Sequence, residues 1–167
     1  MPLTSPTYVC SPAAKFAPIF NMPFLNATRL AHCLTLRTGA AMYDLVDSLR
    51  FDHQGLIPVI AQQHDSGEVL MLAWMNRQAI NQTIATGQVW YWSRSRGALW
   101  RKGQTSGQTQ RLVELRIDCD HDALLVKVDQ TGVACHTGRR ACFFSRVESG
   151  RIVAVEPVVI DPAVLHR

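Results

Sequence analysis

The stretch Ile57-Pro-Val-Ile-Ala-Gln-Gln-His-Asp-Ser-Gly-Glu-Val-Leu-Met-Leu-Ala-Trp-Met-Asn-Arg-Gln-Ala-Ile80 decides the fold class. Two apolar runs flank Asp65-Ser-Gly67, a turn signal, so the chain from about Ile57 to Met75 is expected to form a β-hairpin. Asn76 can then accept hydrogen bonds from the first free amides of a helix. That helix carries Ile80 and Ile84 on one face and stops at Gly87. Further out, Asp44 to Arg50 reads as a short helix. Val89 to Ser95, Leu112 to Ile117 and Leu124 to Val128 read as strands, and residues 143 to 160 add one or two more. Several strands, few short helices and hairpin-sized connections predict an α+β fold with mostly antiparallel β-sheet.

A chain of 167 residues is long enough for one domain with a buried core. No apolar run reaches the roughly 20 residues of a membrane helix. The formal charge of +4 suggests nucleic acid at first sight, but residues 1–41 contain Lys15, Arg29 and Arg37 and no acidic residue. From residue 42 onward the chain is nearly neutral, unlike a phosphate-backbone binder. Five of the eight prolines fall in the first 23 residues, where neither a helical nor a strand period survives. Residues 1–41 are therefore expected to be a poorly structured extension, or to precede a natural start at Met42, rather than a targeting peptide. Residues 42–167 form the expected domain. Cys10 and Cys33 belong to the extension, whereas Cys119, Cys135 and Cys142 cluster in the body. A reducing compartment, the cytoplasm, would keep that second set as thiols.

Three constellations could carry chemistry. The first is Arg116-Ile-Asp-Cys-Asp-His-Asp122. If extended, it sets Asp118, Asp120 and Asp122 in a row on one face with Cys119 and His121 on the other. Three same-face carboxylates repel one another unless a hard cation such as Mg²⁺ joins them; the alternative is a solvated acidic edge. The second is Cys119, Cys135 and Cys142, three soft ligands that would leave zinc one open position for an acidified water, and so hydrolysis. The alternative is that these are ordinary buried cysteines. His136 could be a fourth ligand, a structural histidine, or an acid or base beside the metal. Because Cys119 faces away from the aspartates, a partner chain could supply it.

The third constellation is basic. Arg77, Arg94, Arg96, Arg101, Lys102 and Arg111 occur in a region without acidic residues between Glu68 and Glu114. Within it, Leu99-Trp-Arg-Lys-Gly-Gln-Thr-Ser-Gly107 reads as a small-molecule phosphate site, with Arg94, Arg96, Arg101, Lys102, Thr105 and Ser106 as candidate contacts. Trp90, Tyr91, Trp92 and Trp100 could stack on a base or fill the core.

Together with Gly55-Leu-Ile-Pro58, Ser93-Arg-Ser-Arg96 and Ala134-Cys-His-Thr-Gly138, these motifs resemble the phosphoribosyl-AMP cyclohydrolase family from about Phe51 to Phe143. The resemblance implies hydrolysis of the N1–C6 bond of 1-(5-phosphoribosyl)-AMP in histidine biosynthesis. It implies Mg²⁺ on Asp118, Asp120 and Asp122, and an intertwined homodimer with one zinc per subunit. That zinc would be held by Cys135 and Cys142 with Cys119 donated across the dimer, and His136 would transfer protons. The partners implied are a second copy and a small phosphorylated nucleotide, with neither nucleic acid nor membrane. Only 23 residues follow Phe144, too few for the pyrophosphohydrolase domain of bifunctional relatives, so the ring-opening step alone is expected. A zinc nucleobase deaminase would need HxE and CxxC, which are absent. A zinc-containing nucleic-acid-binding module is the remaining alternative, and it would need a closed four-ligand site.

Overall fold

The computed structural model describes residues 45–165; the expected extension of residues 1–41, with Cys10 and Cys33, and the expected start at Met42 lie outside the described residues. The element order is β1 (Ile57–Gln63), β2 (Val69–Met75), α1 (Arg77–Thr86), β3 (Trp90–Ser93), β4 (Ala98–Arg101), β5 (Gln110–Ile117), β6 (Leu124–Gln130), β7 (Ser145–Glu148), β8 (Arg151–Ala154) and α2 (Pro162–Leu165). Of the helix expected from Asp44 to Arg50, residues 45–47 are helical, and Ser48 and Leu49 then close tighter turns onto the carbonyls of Leu45 and Val46.

The expected hairpin is present in full: β1 and β2 are antiparallel, with Ile57 opposite Met75. Ile57, Val59 and Ala61 alternate inward, as a half-buried strand requires. Helix α1 starts where Asn76 Oδ1 accepts from the Ala79 amide at 2.8 Å. It ends where Gly87 turns left-handed and its amide reaches the Thr83 carbonyl. Ile80 is fully buried, and Ile84 packs against the core from the same face.

The main sheet has the order β2-β1-β6-β5. Its pairs are antiparallel except β1 and β6, which run parallel from Val59 opposite Leu124 to Gln63 opposite Val128. Pro58, which has no amide to donate, lies one residue before that ladder begins, which explains how proline is tolerated in an inner strand. Strand β6 is flanked on both edges and buries Leu124, Val126 and Val128. The core gathers these with β1, β2, α1 and Tyr91. The segment Leu99–Gly107 is divided: its first residues belong to β4, which pairs with β3 through the turn at Gly97, and the residues after Arg101 form a loop.

Replacing Asn76 removes the acceptor for the Ala79 amide. Asn76→Ala is therefore expected to lower stability by about 1 kcal/mol in denaturant unfolding, and an unchanged midpoint would contradict this account of the cap.

Candidate active site

One cavity of about 600 Å³ opens between β4, the loop that follows it, and the turn after β6. The loop bends sharply at Gly103, which has φ +77° and lies so near the Gln108–Thr109 backbone that a Cβ would sit 2.5 Å from the Gln108 carbonyl carbon. Only glycine permits that approach. It brings Gln108 under the opposite wall, where its Oε1 accepts from the Val133 amide at 2.9 Å. The two walls are thus tied before any ligand binds.

Arg96, Arg101, Thr105 and Ser106 line one side of the cavity, and Cys135, His136 and Cys142 line the other. Lys102 also lines it but is buried, and its Nζ donates to the Ala134 carbonyl at 2.8 Å. It therefore faces the cysteines rather than open solvent. Burial holds Lys102 below the ordinary lysine value, and negative charge on Cys142 and Cys135 opposes that shift. Arg94 is elsewhere: its guanidinium stacks 4.7 Å from the centre of the Trp74 ring and is not part of the cavity lining. Of the aromatic residues, Tyr91 is core and donates to Gln110 Oε1 at 2.5 Å, whereas Trp100 packs on Tyr91 and also lines the cavity.

Cys135 is buried, and its sulfur lies 3.1 Å from Thr137 Oγ1. Cys142 is exposed as a residue, yet its sulfur is desolvated beside Cys135; burial first, then the neighbouring sulfur, pushes its thiol up to about 11. Two thiols held together beside a buried ammonium fit a soft cation that would replace both protons. His136 is exposed on the cavity rim. Cys119 does not join this pair. It lies on the exposed β5–β6 connection, 3.9 Å from Asp120 Oδ1.

That connection departs from the extended segment expected from the sequence. β5 and β6 are antiparallel neighbours, so the chain must reverse within residues 118–123, and it does so with His121 at φ +66°. Asp118 Oδ1 accepts from the amides of Asp122 and Ala123, both at 3.0 Å. The carboxylates are consequently gathered by a turn and not by the two-residue strand period. One oxygen from each of Asp118, Asp120 and Asp122 lies within 4.8 Å of the others, the single such group of three among the described residues. The Ala123 amide holds Asp118 below the ordinary carboxylate range, while Asp122 is raised by its hydrogen bond with Asp118 and by the charge of Asp120. Oxygen ligands at this spacing fit a hard divalent cation.

Sequence reading missed the apolar side of the cavity. Met71, Ala98 and Val133 line it from strands and turns, and Leu165 reaches it from α2. Nothing periodic marks Leu165; only the fold brings it there.

A family model described as phosphoribosyl-AMP cyclohydrolase matches residues 71–144. Among curated proteins of that name, one from Granulibacter bethesdensis is 62% identical over 126 residues, 75% of this chain and 98% of its own length. One from Halorhodospira halophila is 61% identical over 122 residues, 73% of this chain and 86% of its own length. A third, from Rhodospirillum centenum, is 60% identical over 129 residues, 77% of this chain and 97% of its own.

A carboxyl whose pKa is raised on folding opposes folding as the pH climbs through its ordinary range, so Asp122 costs stability at neutral pH without a cation. Asp120→Asn is expected to raise the melting temperature in the presence of a chelator, and to respond less than the unaltered protein to a hard divalent cation such as Mg²⁺. A lower melting temperature in chelator, or an undiminished response to Mg²⁺, would contradict the carboxylate-repulsion account.

Proposed function

The chain belongs to the phosphoribosyl-AMP cyclohydrolase family of hydrolases, and from that premise we propose that it cleaves the N1–C6 bond of 1-(5-phosphoribosyl)-AMP in histidine biosynthesis. The observation that carries this reading is the convergence of Cys135, Cys142 and His136 with Arg96, Arg101 and Lys102 on one cavity. Basic and hydroxyl groups on one wall suit a phosphorylated ligand, and Trp100 and Leu99 give the ring an apolar surface. In this reading Cys135 and Cys142 hold zinc together with Cys119 of the partner subunit, and Asp118, Asp120 and Asp122 hold Mg²⁺. When bound, zinc would supply a water acidic enough to attack at neutral pH, and Mg²⁺ would supply positive charge to substrate phosphate.

The chain's own residues do the rest. Arg96, Arg101, Thr105 and Ser106 fix the phosphates, which aligns C6 of the ring for attack. His136 takes a proton as water oxygen bonds to C6 and returns one to N1 as the N1–C6 bond breaks. Quaternary substitution at N1 already leaves this ring electron-poor, so alignment and proton transfer carry most of the demand. Lys102 compensates the charge of the two thiolates and anchors their turn through Ala134.

A homodimer follows from the same reading. Ile60 and Leu72, paired across β1 and β2, expose apolar surface on the outer face of the sheet, which a second copy would cover. Thiolate ligands require a reducing compartment, here the cytoplasm. Among the described residues no helix is long and apolar enough to cross a membrane. Residues 42–167 would suffice for the activity, with residues 1–41 an extension that adds nothing to it.

An absorbance assay of ring opening tests this directly. Cys135→Ser is expected to lose about 100-fold or more in turnover together with its zinc, while protein lacking residues 1–41 keeps the full-length rate. Full activity in Cys135→Ser would overturn the metal assignment, and an inactive soluble truncation would overturn the domain assignment.

A further inference from the structure

Beyond β8 the chain returns to the active site. Val155 donates to the Phe144 carbonyl at 2.9 Å, and Arg139 Nε donates to the Glu156 carbonyl at 3.0 Å. Val159 and Ile160 then both donate their amides to the Gly138 carbonyl, at 2.8 and 3.1 Å. Gly138 has φ +76°, and a Cβ there would lie 1.8 Å from the Ile160 carbonyl oxygen, so the two backbones meet with no room for any side chain. After Ile160 the short α2 carries Leu165 back to the cavity, where it is 5% exposed.

This attachment differs from ordinary core packing. Val158, Val159 and Val164 all expose their side chains, so the segment is held by main-chain bonds to the Cys135–Gly138 turn and by the burial of Leu165. The turn itself is closed by a bond from the Gly138 amide to the Cys135 carbonyl at 3.1 Å. Among the described residues nothing hydrogen-bonds the His136 ring, so the turn's backbone, which sets where the side chain leaves the main chain, is the contact through which the fold positions it. The segment lies wholly beyond residue 144, where the match to the family model ends, though the matched relatives cover more of the chain than that model does.

We propose that residues 155–165 are a positioning strap: their grip on Gly138 fixes the turn that aims His136, and Leu165 is a wall against which the substrate packs. This rests on the ring-opening reading of the cavity, but the strap also has a readout of its own. The test combines amide hydrogen exchange with steady-state ring-opening kinetics on the full-length holoenzyme and on Gly138→Ala and Leu165→Ala.

Gly138→Ala is expected to speed exchange across residues 134–142 and to lower kcat about tenfold to a hundredfold, with KM changing about twofold or less. Leu165→Ala is expected to raise KM about fivefold and leave kcat within about twofold. Unchanged exchange in Gly138→Ala, or faster exchange with unaltered kcat, would overturn the positioning role. A Leu165→Ala variant with unaltered KM would overturn the wall, and this arm stands even if Gly138→Ala fails to fold. Unaltered protein that opens no ring would overturn the ring-opening reading alone, because the exchange arm still reports on the strap.

Discussion

Strand β6 acts as a rigid spacer between two chemical clusters. It is hydrogen-bonded on both edges and buries three branched apolar side chains, so bending it would break two ladders and open the core. Seven extended residues span about 20 Å. The turn bearing Asp118, Cys119, Asp120 and Asp122 precedes this strand, and the turn bearing Cys135 and His136 follows it. Within one protomer the third sulfur is therefore held at the opposite end of the spacer from the other two. The proposed three-sulfur site needs a second protomer whose own spacer runs so as to bring the opposite end into reach.

Both clusters concentrate groups whose negative charges would oppose one another. Asp118 and Asp122 are shifted in opposite directions from the ordinary carboxylate value because one takes the amide bonds while the other bears the repulsion. At the other end, Cys142 is raised by burial and by Cys135, and the compensating charge is Lys102, fastened below them to Ala134. The fold thus carries a built-in electrostatic cost at the aspartate end of β6, and at the other end a pair of sulfurs whose ionisation burial resists. Ties such as Gln108 to Val133 and the strap at Gly138 keep the cavity's walls in register.

The local rules were legible wherever one face of an element is buried. The β1–β2 hairpin, Asn76 and Gly87 as the limits of α1, and the placement of β5 and β6 could all be read from turn residues and apolar spacing. What could not be read depended on partners distant in sequence. The parallel pairing of β1 and β6 joins segments about sixty residues apart, with no local signature. The aspartate triplet was found by its residue types, but its geometry was misread, because the reversal at residues 118–123 is imposed by the pairing of β5 with β6. Lys102 read as a phosphate contact because it sits among basic and hydroxyl residues; only the packing turns it beneath the cysteines. Leu165 carried no signal at all, since its role comes from a chain that returns past Gly138.

The most direct measurement of the central claim is complementation between two inactive variants, Cys119→Ser and Cys135→Ser. Subunits reassorted at equal amounts give about half heterodimers, each with one site whose sulfurs are all intact, so about a quarter of the unaltered activity should return. If all three sulfurs came from one chain, every site in every combination would carry a defect. Recovery to about a quarter is the predicted result, and activity no greater than that of the two parent variants would contradict it.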